Sequence, residues 1–554
     1  MKRPMKHAVR LFPLRASRSA CALMLIAALA GCSKVSTTNQ AARQNASTVP
    51  GIVRLSINAE PNTLNPVLSG LVTEAYVEAA MFDGLVQYDD RAHLVPDLAT
   101  AVPSLENGGI SRDGRTITFH LRRGVKWQDG QPLTSADVAF TYSKYTDPKT
   151  NSFYLNVYKR IAKLETPDGY TVIVRLAKPF APSVFQFFGR GSGGYVVPKH
   201  ILEHARDFNR DPFGRMPLGS GPFKLSRWDH GSLIVLQANP SYFDGAPHVR
   251  EIDIHIVPNP NTQVAMLGSH DLDLATQLTP SQYHRVQRMQ GIRTLLTPTY
   301  FERFLTFNCR REPFTDVRVR RALAMALDRH RIAETAYANT AIPADTLLAP
   351  YDWAYARDNG APVYDPAGAK RLLTQAGWSF GADHLWHKNG RTLSFGLLNQ
   401  AESNPLSTMA QEMQRDFHDI GVQVDIRQVP RNVIYGSSGL ANVGKFDALV
   451  DDWGADTEPD RSNIIQTKDI SPRGYNDAFY SDADVDRWSE AALATYDERA
   501  RKQLYALIQR RLNRDVPYVP LVWEKRIYAL NTDLRGFSPE PLYSDLWNAQ
   551  RWQI

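Results

Sequence analysis

Apolar residues fall into distinct patterns along this 554-residue chain, and each pattern predicts a different element. Residues 21–30 are apolar and follow a segment whose only charges are Lys2, Arg3, Lys6, Arg10, Arg15 and Arg18. A basic stretch leading into an apolar run too short to cross a bilayer predicts a secretory signal. Residues 115–121 (RTITFHL) and 170–176 (YTVIVRL) alternate apolar with polar positions and favour β-branched side chains, which predicts half-buried strands. Residues 316–328 (DVRVRRALAMALD) instead bring Val319, Leu323, Ala326 and Leu327 onto one helical face, with Asp316 suited to cap the start. Residues 365–376, 406–420 and 498–513 read the same way, and Gly377 and Gly421 stand where two of these helices should stop. Residues 33–50 are rich in Ser, Thr, Asn, Gln and Ala with hardly a large apolar side chain, the composition of a flexible tether. Beyond them there is no low-complexity tract, heptad pattern, solenoid-length repeat or second apolar span. This mixture predicts an α/β protein built from several discontinuous lobes.

Leu29, Ala30 and Gly31 lead into Cys32, a run of small residues before a cysteine of the kind that bacterial lipoproteins modify. The expected mature chain starts at Cys32, carries a diacylglyceryl group on that thiol, and is held by lipid to a membrane of the cell envelope, on its periplasmic face. The formal charge of +7 then changes meaning, because the six basic residues named above leave with the signal and the remainder is near +1. Nucleic-acid binding through a basic patch is excluded on that ground. Of the three cysteines, Cys21 is removed and Cys32 is lipidated, so Cys309 stands alone and no intramolecular disulfide can form. Stability must come from core burial, for which 43% apolar composition with 23 Tyr, 23 Phe and 10 Trp suffices. The length suggests roughly two to four domains.

Four local matches to chemical motifs fail on their context. Gly439-x4-Gly444-Lys445 has most of the spacing of a phosphate loop, but Phe446 stands where a Ser or Thr must hold Mg²⁺, and residues 447–450 look like a strand. Gly219-Ser220-Gly221 precedes Pro222 and a strand-like run, so it reads as a turn. His384 and His387 flank a hairpin at Lys388-Asn389-Gly390 with no further His or Cys near, and read as loop residues rather than metal ligands. Cys309 follows a strand-like segment and reads as packed; HExxH and GxSxG are absent. Nothing argues for an enzyme, a cofactor or a metal.

A longer pattern carries the function. Phe82-Asp83-Gly84-Leu85-Val86, Val95-Pro96-Asp97-Leu98-Ala99, the run from Asp113-Gly114-Arg115 through Gly124-Val125-Lys126-Trp127, Asp129-Gly130 and Leu133-Thr134-Ser135-Ala136-Asp137-Val138 occur in that order. They are followed by Gly219-Ser220-Gly221-Pro222-Phe223, Asn239-Pro240-Ser241-Tyr242-Phe243, Phe314-Thr315-Asp316-Val317-Arg318, Ala376-Gly377-Trp378 and Pro517-Tyr518-Val519-Pro520-Leu521. Over nearly the whole mature chain this resembles the family 5 solute-binding proteins of ABC importers, which include oligopeptide-, dipeptide- and nickel-binding receptors. Local chemistry agrees: Asp113-Gly114 and Asp129-Gly130 are turn dipeptides, and Thr134 is placed to cap a helix.

The resemblance implies a periplasmic-binding-protein-like, two-jaw hinge fold of class II with an extra inserted lobe. Lobe I would comprise about 52–76, 194–299 and 525–554; the inserted lobe II about 77–193; and lobe III, the second jaw, 300–524, with crossings near 301–308 and 521–529. It implies a monomer without cofactor that captures a peptide by hinge closure and delivers it to ABC permease subunits, coupled indirectly to cytoplasmic ATPases. Alternatives are a non-peptide ligand such as a metal chelate, or a non-transport peptide-binding chaperone or sensor; an envelope hydrolase fits least. By resemblance, Asp456 in Trp453-Gly454-Ala455-Asp456 would pair with a peptide α-ammonium, Tyr154 would lie against the ligand, and backbone around 65–72, including Val72, and at Trp453 would extend the peptide as an added strand. Two departures matter. Dipeptide-specific relatives carry an Arg immediately before the helix corresponding to 409–413, where this chain has Thr408, and oligopeptide relatives carry an Arg where it has Val450. No clamp for a ligand carboxylate therefore carries over.

Overall fold

A computed structural model describes residues 45–554 apart from 191–193, 437, 456 and 543. The expected signal, Cys32 and most of the expected tether lie outside the described residues. The alternating segments form strands: Thr116–His120 and Thr171–Leu176 pair antiparallel, with Ile161–Asp168 on the other side of Thr171–Leu176. Their inward residues Ile117, Phe119, Val172 and Val174 are fully buried. The helical patterns become Val317–Ala326, Pro366–Gln375, Asn404–Asp419 and Glu498–Asp515. Asp316, Asp365 and Asp497 cap three of them, accepting from the backbone N–H groups of Arg318, Gly368 and Ala500 at 2.9, 2.8 and 2.8 Å. The helix expected from 406 begins two residues earlier, because Ser403 is its cap and Pro405 fits the first turn. Thr408 thus lies inside this helix rather than immediately before it. Gly377 and Gly421 take φ of +84° and +85°, the left-handed conformation that ends a helix.

Eleven strands share one sheet whose middle is a pair of long antiparallel strands, Ile292–Phe307 and Tyr518–Asn531. Leu274–Ala275, Ile52–Ile57, Glu251–Ile256, Leu233–Ala238 and Phe223–Asp229 lie to one side of that pair. Ala448–Gly454, Ser394–Gln400 and Gln423–Val429 lie to the other, and the short strand Ala341–Pro343 pairs with Tyr518–Asn531. The register of the long pair breaks between Pro298 and Glu302, opposite Lys525 and Trp523, and shifts again between Arg303 and Phe304. A proline cannot donate to a ladder, so the break falls where the sequence removes a donor. The first half-sheet shares its core with the 77–188 stretch: Val53, Ile254 and Leu274 pack in one cluster with Val86, Phe119 and Val174. The second half-sheet has its own core, where Leu305, Leu397 and Val450 meet the helix residues Leu323, Met413 and Phe417.

Four of the sequence runs meet at one buried point. Asp83 accepts hydrogen bonds from Ser220 Oγ at 2.7 Å and from the Tyr242 hydroxyl at 2.9 Å. Arg190 lies 3.7 Å from Asp83 and 3.9 Å from Asp97, and the Gly84 N–H donates to Asp97 at 3.0 Å. Gly219 is obligatory here, since a Cβ on it would stand 1.8 Å from the Met81 carbonyl oxygen. The glycine tract is therefore a packing device that seats Ser220 on Asp83.

Burial, with the neighbouring Asp83 charge, pushes Asp97 up to about 8 against the pull of Arg190. An acid whose pKa is higher folded than unfolded stabilises the fold below the unfolded value of about 4, and that contribution is lost as pH rises through the folded value. Asp97→Asn keeps the neutral shape, so it should remove a fall in stability between about pH 4 and 8 that the parent shows. Urea unfolding at pH 5 and pH 8 measures the difference; identical pH slopes in parent and variant would mean Asp97 is ionised in the fold.

Candidate functional site

The strand Ala448–Gly454 lies antiparallel on the first long strand, with Asp452 opposite Arg303, Trp453 opposite Glu302 and Gly454 opposite Phe301. Alternation sends Phe301 and Arg303 to one side, where both border two cavities. One, about 500 Å³, is also bordered by Gln400, Arg431, Tyr435 and Trp453. The other, about 470 Å³, reaches Val72, Tyr76, Gln277 and Lys525. A third cavity of about 600 Å³ adjoins Tyr300, Tyr351 and Thr457 and reaches Tyr88. At its border Tyr496 bonds the Phe180 carbonyl at 2.9 Å, and the Ala181 N–H bonds the Leu493 carbonyl at 2.7 Å.

Charge in the first two cavities is organised around Arg303. Its guanidinium pairs with Asp452 at 2.6 Å and Glu524 at 2.7 Å, and Tyr337 donates to Glu524 at 2.7 Å. Arg431 and Gln400 also reach Asp452, at 3.1 and 2.9 Å. Burial opposes the Asp452 charge, yet Arg303 and Arg431 outweigh it and hold its carboxyl below the ordinary range. Its chain neighbour Asp451 goes the other way: burial, then Asp477 and Asp452, push it up to about 7 while it accepts from Tyr435 at 2.5 Å. Glu302 is fully buried with no hydrogen-bond partner for either carboxylate oxygen among the described residues, and burial pushes it well above the ordinary range against the pull of Arg461.

The expected site residues divide. Trp453 borders the 500 Å³ cavity and packs against Tyr475 with ring centroids 5.4 Å apart. Val72 opens the helix Val72–Met81 and borders the 470 Å³ cavity. Tyr154 borders none of the three cavities; it precedes the short helix Leu155–Tyr158 and meets Tyr145 edge-on at 6.0 Å. Burial beside Glu78 and Glu74 pushes its phenol up to about 12. Asp456 lies outside the described residues, between Ala455, whose N–H donates to the Tyr300 carbonyl at 2.8 Å, and the buried Thr457. Val450 is buried opposite Leu305 in the sheet. Sequence reasoning missed Arg303, Arg431 and Glu524, although the Phe301-x-Arg303 alternation on a strand was a readable sign that Arg303 shares the face of Phe301.

Comparison with known proteins agrees with this architecture. Residues 93–473 match the family described as Bacterial extracellular solute-binding proteins, family 5 Middle. The chain belongs to this family, the solute-binding proteins of ABC importers, whose members bind solutes outside the cytoplasm. It is 27% identical over 542 residues to the oligopeptide-binding protein AppA of Bacillus subtilis, covering 96% of this chain and 97% of AppA. The crystal structure of AppA in complex with a nonapeptide is similar at a TM-score of 0.71 and 26% identity, over 91% of this chain and all of that one. NikZ from Campylobacter jejuni, in complex with Ni(L-His), is similar at a TM-score of 0.75 and 25% identity, over 92% of this chain and all of NikZ.

The two arginines differ in what they support. The Arg303 side chain is 13% exposed and that of Arg431 is 58% exposed. Arg303→Met leaves Glu524 with Tyr337 but without its cation and leaves Asp452 with Arg431 and Gln400, so the loss of two largely buried ion pairs should cost about 3–5 kcal/mol. Arg431→Met should cost about 0–1 kcal/mol, since a solvated pair contributes little. Urea denaturation of both variants decides this, and equal losses would show that Arg303 is not the organising cation.

Proposed function

We propose that this chain is a lipid-anchored receptor of the cell envelope that captures peptides by closing two jaws and hands them to an ABC permease. The observation that carries this reading is the long strand pair: it joins two half-sheets with separate cores, and its register breaks at Pro298–Glu302 beside the cavities. Residues 52–76, 194–299 and 525–554 form one jaw, 77–193 ride on it through the shared core, and 300–524 form the other. Closure about the break brings Val72 and Trp453 onto opposite sides of one ligand, whose backbone they extend as an added strand. The nonapeptide held by AppA supports a peptide; Ni(L-His) held by NikZ supports, as a second reading, a metal chelate. Mass spectrometry of cargo released by denaturing the purified protein separates the two, and cargo that is neither would overturn both.

In this reading Asp456 pairs with the peptide α-ammonium. Asp456→Ala then leaves that ammonium unpaired in a closed cleft, which should cost about 3–5 kcal/mol, more than a hundredfold in affinity. N-acetylating the peptide removes the same charge from the other partner, so the double change should cost less than the sum of the single ones. Calorimetry on the four combinations reads the coupling. If acetylated and free-amine peptides bind the parent equally, Asp456 is no ammonium anchor.

The anchor rests on Cys32 and the pattern before it. Cys32→Ser should move the protein from the membrane to the soluble envelope fraction. Retention of the variant on membranes after a carbonate wash would exclude lipid attachment at this residue.

A further inference from the structure

Away from the long strand pair, the two jaws meet at a second place. Tyr496 stands in the turn between the helices Ala483–Ala494 and Glu498–Asp515, and its hydroxyl donates to the Phe180 carbonyl at 2.9 Å. That carbonyl can only accept, so the phenol's one proton is engaged there, and the Ser183 hydroxyl 2.9 Å away donates to the Tyr496 oxygen. Beside this pair the Ala181 N–H donates to the Leu493 carbonyl at 2.7 Å. The Tyr496 ring lies against the turn at Gly114, where φ is +65° and a Cβ would stand 2.8 Å from the ring. Leu493 packs on the core that the 77–188 stretch shares with the first half-sheet. The contact is shallow: Phe180, Ala181 and Ser183 are buried, whereas Leu493 and Tyr496 are half-buried. No charged side chain takes part in its three hydrogen bonds. The 600 Å³ cavity is bordered both by Tyr300, within the register break, and by Ala181, Val184 and Tyr496, so it lies between the strand pair and this contact.

Resting on the two-jaw reading above, we infer that the 180–183 and 493–496 turns form a latch that holds the jaws together whether or not a ligand lies between them. A hinge only permits closure; the latch gives closure a free energy of its own. Hydrogen bonds between neutral groups suit that task, because water replaces each of them when the jaws part and the net loss per bond is small. A buried ion pair broken in the same place would cost far more. The half-buried phenol is therefore made and broken within the range over which a bound ligand shifts the balance between open and closed. Because the latch exists in the closed state only, its strength sets two quantities: the closed share of the empty receptor and the residence time of whatever it has captured. Which ligand is kept is decided by the ligand's own contacts in the cleft.

The test compares the parent with Tyr496→Phe, Tyr496→Ala and Ser183→Ala, each as the full mature protein stripped of cargo. Small-angle scattering reads the empty state, and mass spectrometry reads the release of a captured random pool of tri- to nonapeptides after dilution. Tyr496→Phe keeps the ring on Gly114 and loses only the hydroxyl, so the fold is not at stake. It should enlarge the radius of gyration of the empty protein and speed release about tenfold, the effect of losing two neutral hydrogen bonds. Tyr496→Ala, which also loses the ring, should go further, and Ser183→Ala, which loses one bond, less far. Capture should be no slower in any of them, since an open receptor admits ligand. Parent-like scattering and release from both Tyr496 variants overturn the latch, and so does slower capture with unchanged release, which would put Tyr496 in the binding surface. Peptide should compact Tyr496→Ala to the size of the loaded parent; capture without compaction in either protein overturns the two-jaw reading itself. If the parent captures no peptide while the empty Tyr496 variants are expanded, the peptide reading falls and the latch stands.

Discussion

Everything that joins the two halves of this protein's sheet passes through the antiparallel ladder between Ile292–Phe307 and Tyr518–Asn531. Backbone hydrogen bonds do not depend on side-chain identity, so the ladder holds each half-sheet rigidly to its own stretch of the pair. Between Pro298 and Glu302 the pairing lapses, and there the chain has fewer bonds to lose on bending. Bending about such a ladder needs stiff arms and a weakened stretch between them. Here the stiffness comes from two separate apolar cores and the weakness from a proline and a shifted register.

The charges around that weak point follow from strand geometry. Asp451 and Asp452 are neighbours in the chain and both border the 500 Å³ cavity, but alternation along the strand gives them different partners. Asp452 meets two guanidiniums and stays ionised, whereas Asp451 meets burial and a second acid and rises to about 7. The same alternation on the facing strand gives Arg303 a pair of carboxylates and leaves Glu302 buried without a hydrogen bond among the described residues. A charged residue and an acid held above its ordinary range thus stand side by side twice. Desolvation costs more than any exposed pair returns, and it decides which member of each couple keeps its charge.

Much of the fold was legible because local patterns and tertiary structure agree. Asp316, Asp365 and Asp497 cap helices because a short acceptor precedes an apolar stripe in each case, and Gly377 and Gly421 end helices by left-handed geometry. The buried cluster of Asp83, Ser220, Tyr242 and Arg190 was visible only as separate runs of residues, since nothing local says that positions so far apart share one carboxylate. The site was less legible for the same reason. Trp453 and Val72 border the cavities, while Tyr154 packs edge-on to Tyr145 and lies beside Glu78, a placement set by packing rather than by its own motif. The alternation of Phe301 and Arg303 showed a shared face, but that Arg303 and Arg431 share Asp452 was not legible, because the three residues stand on separate elements.

That shared partner also constrains what the cleft can hold. Around Arg303 the cationic and anionic side chains satisfy one another, since Asp452 and Glu524 both pair with its guanidinium. A ligand of one sign must pull a side chain from its partner and leave that partner buried and unpaired, a loss comparable to the gain. Pairing around Arg303 therefore favours a ligand that leaves those pairs intact.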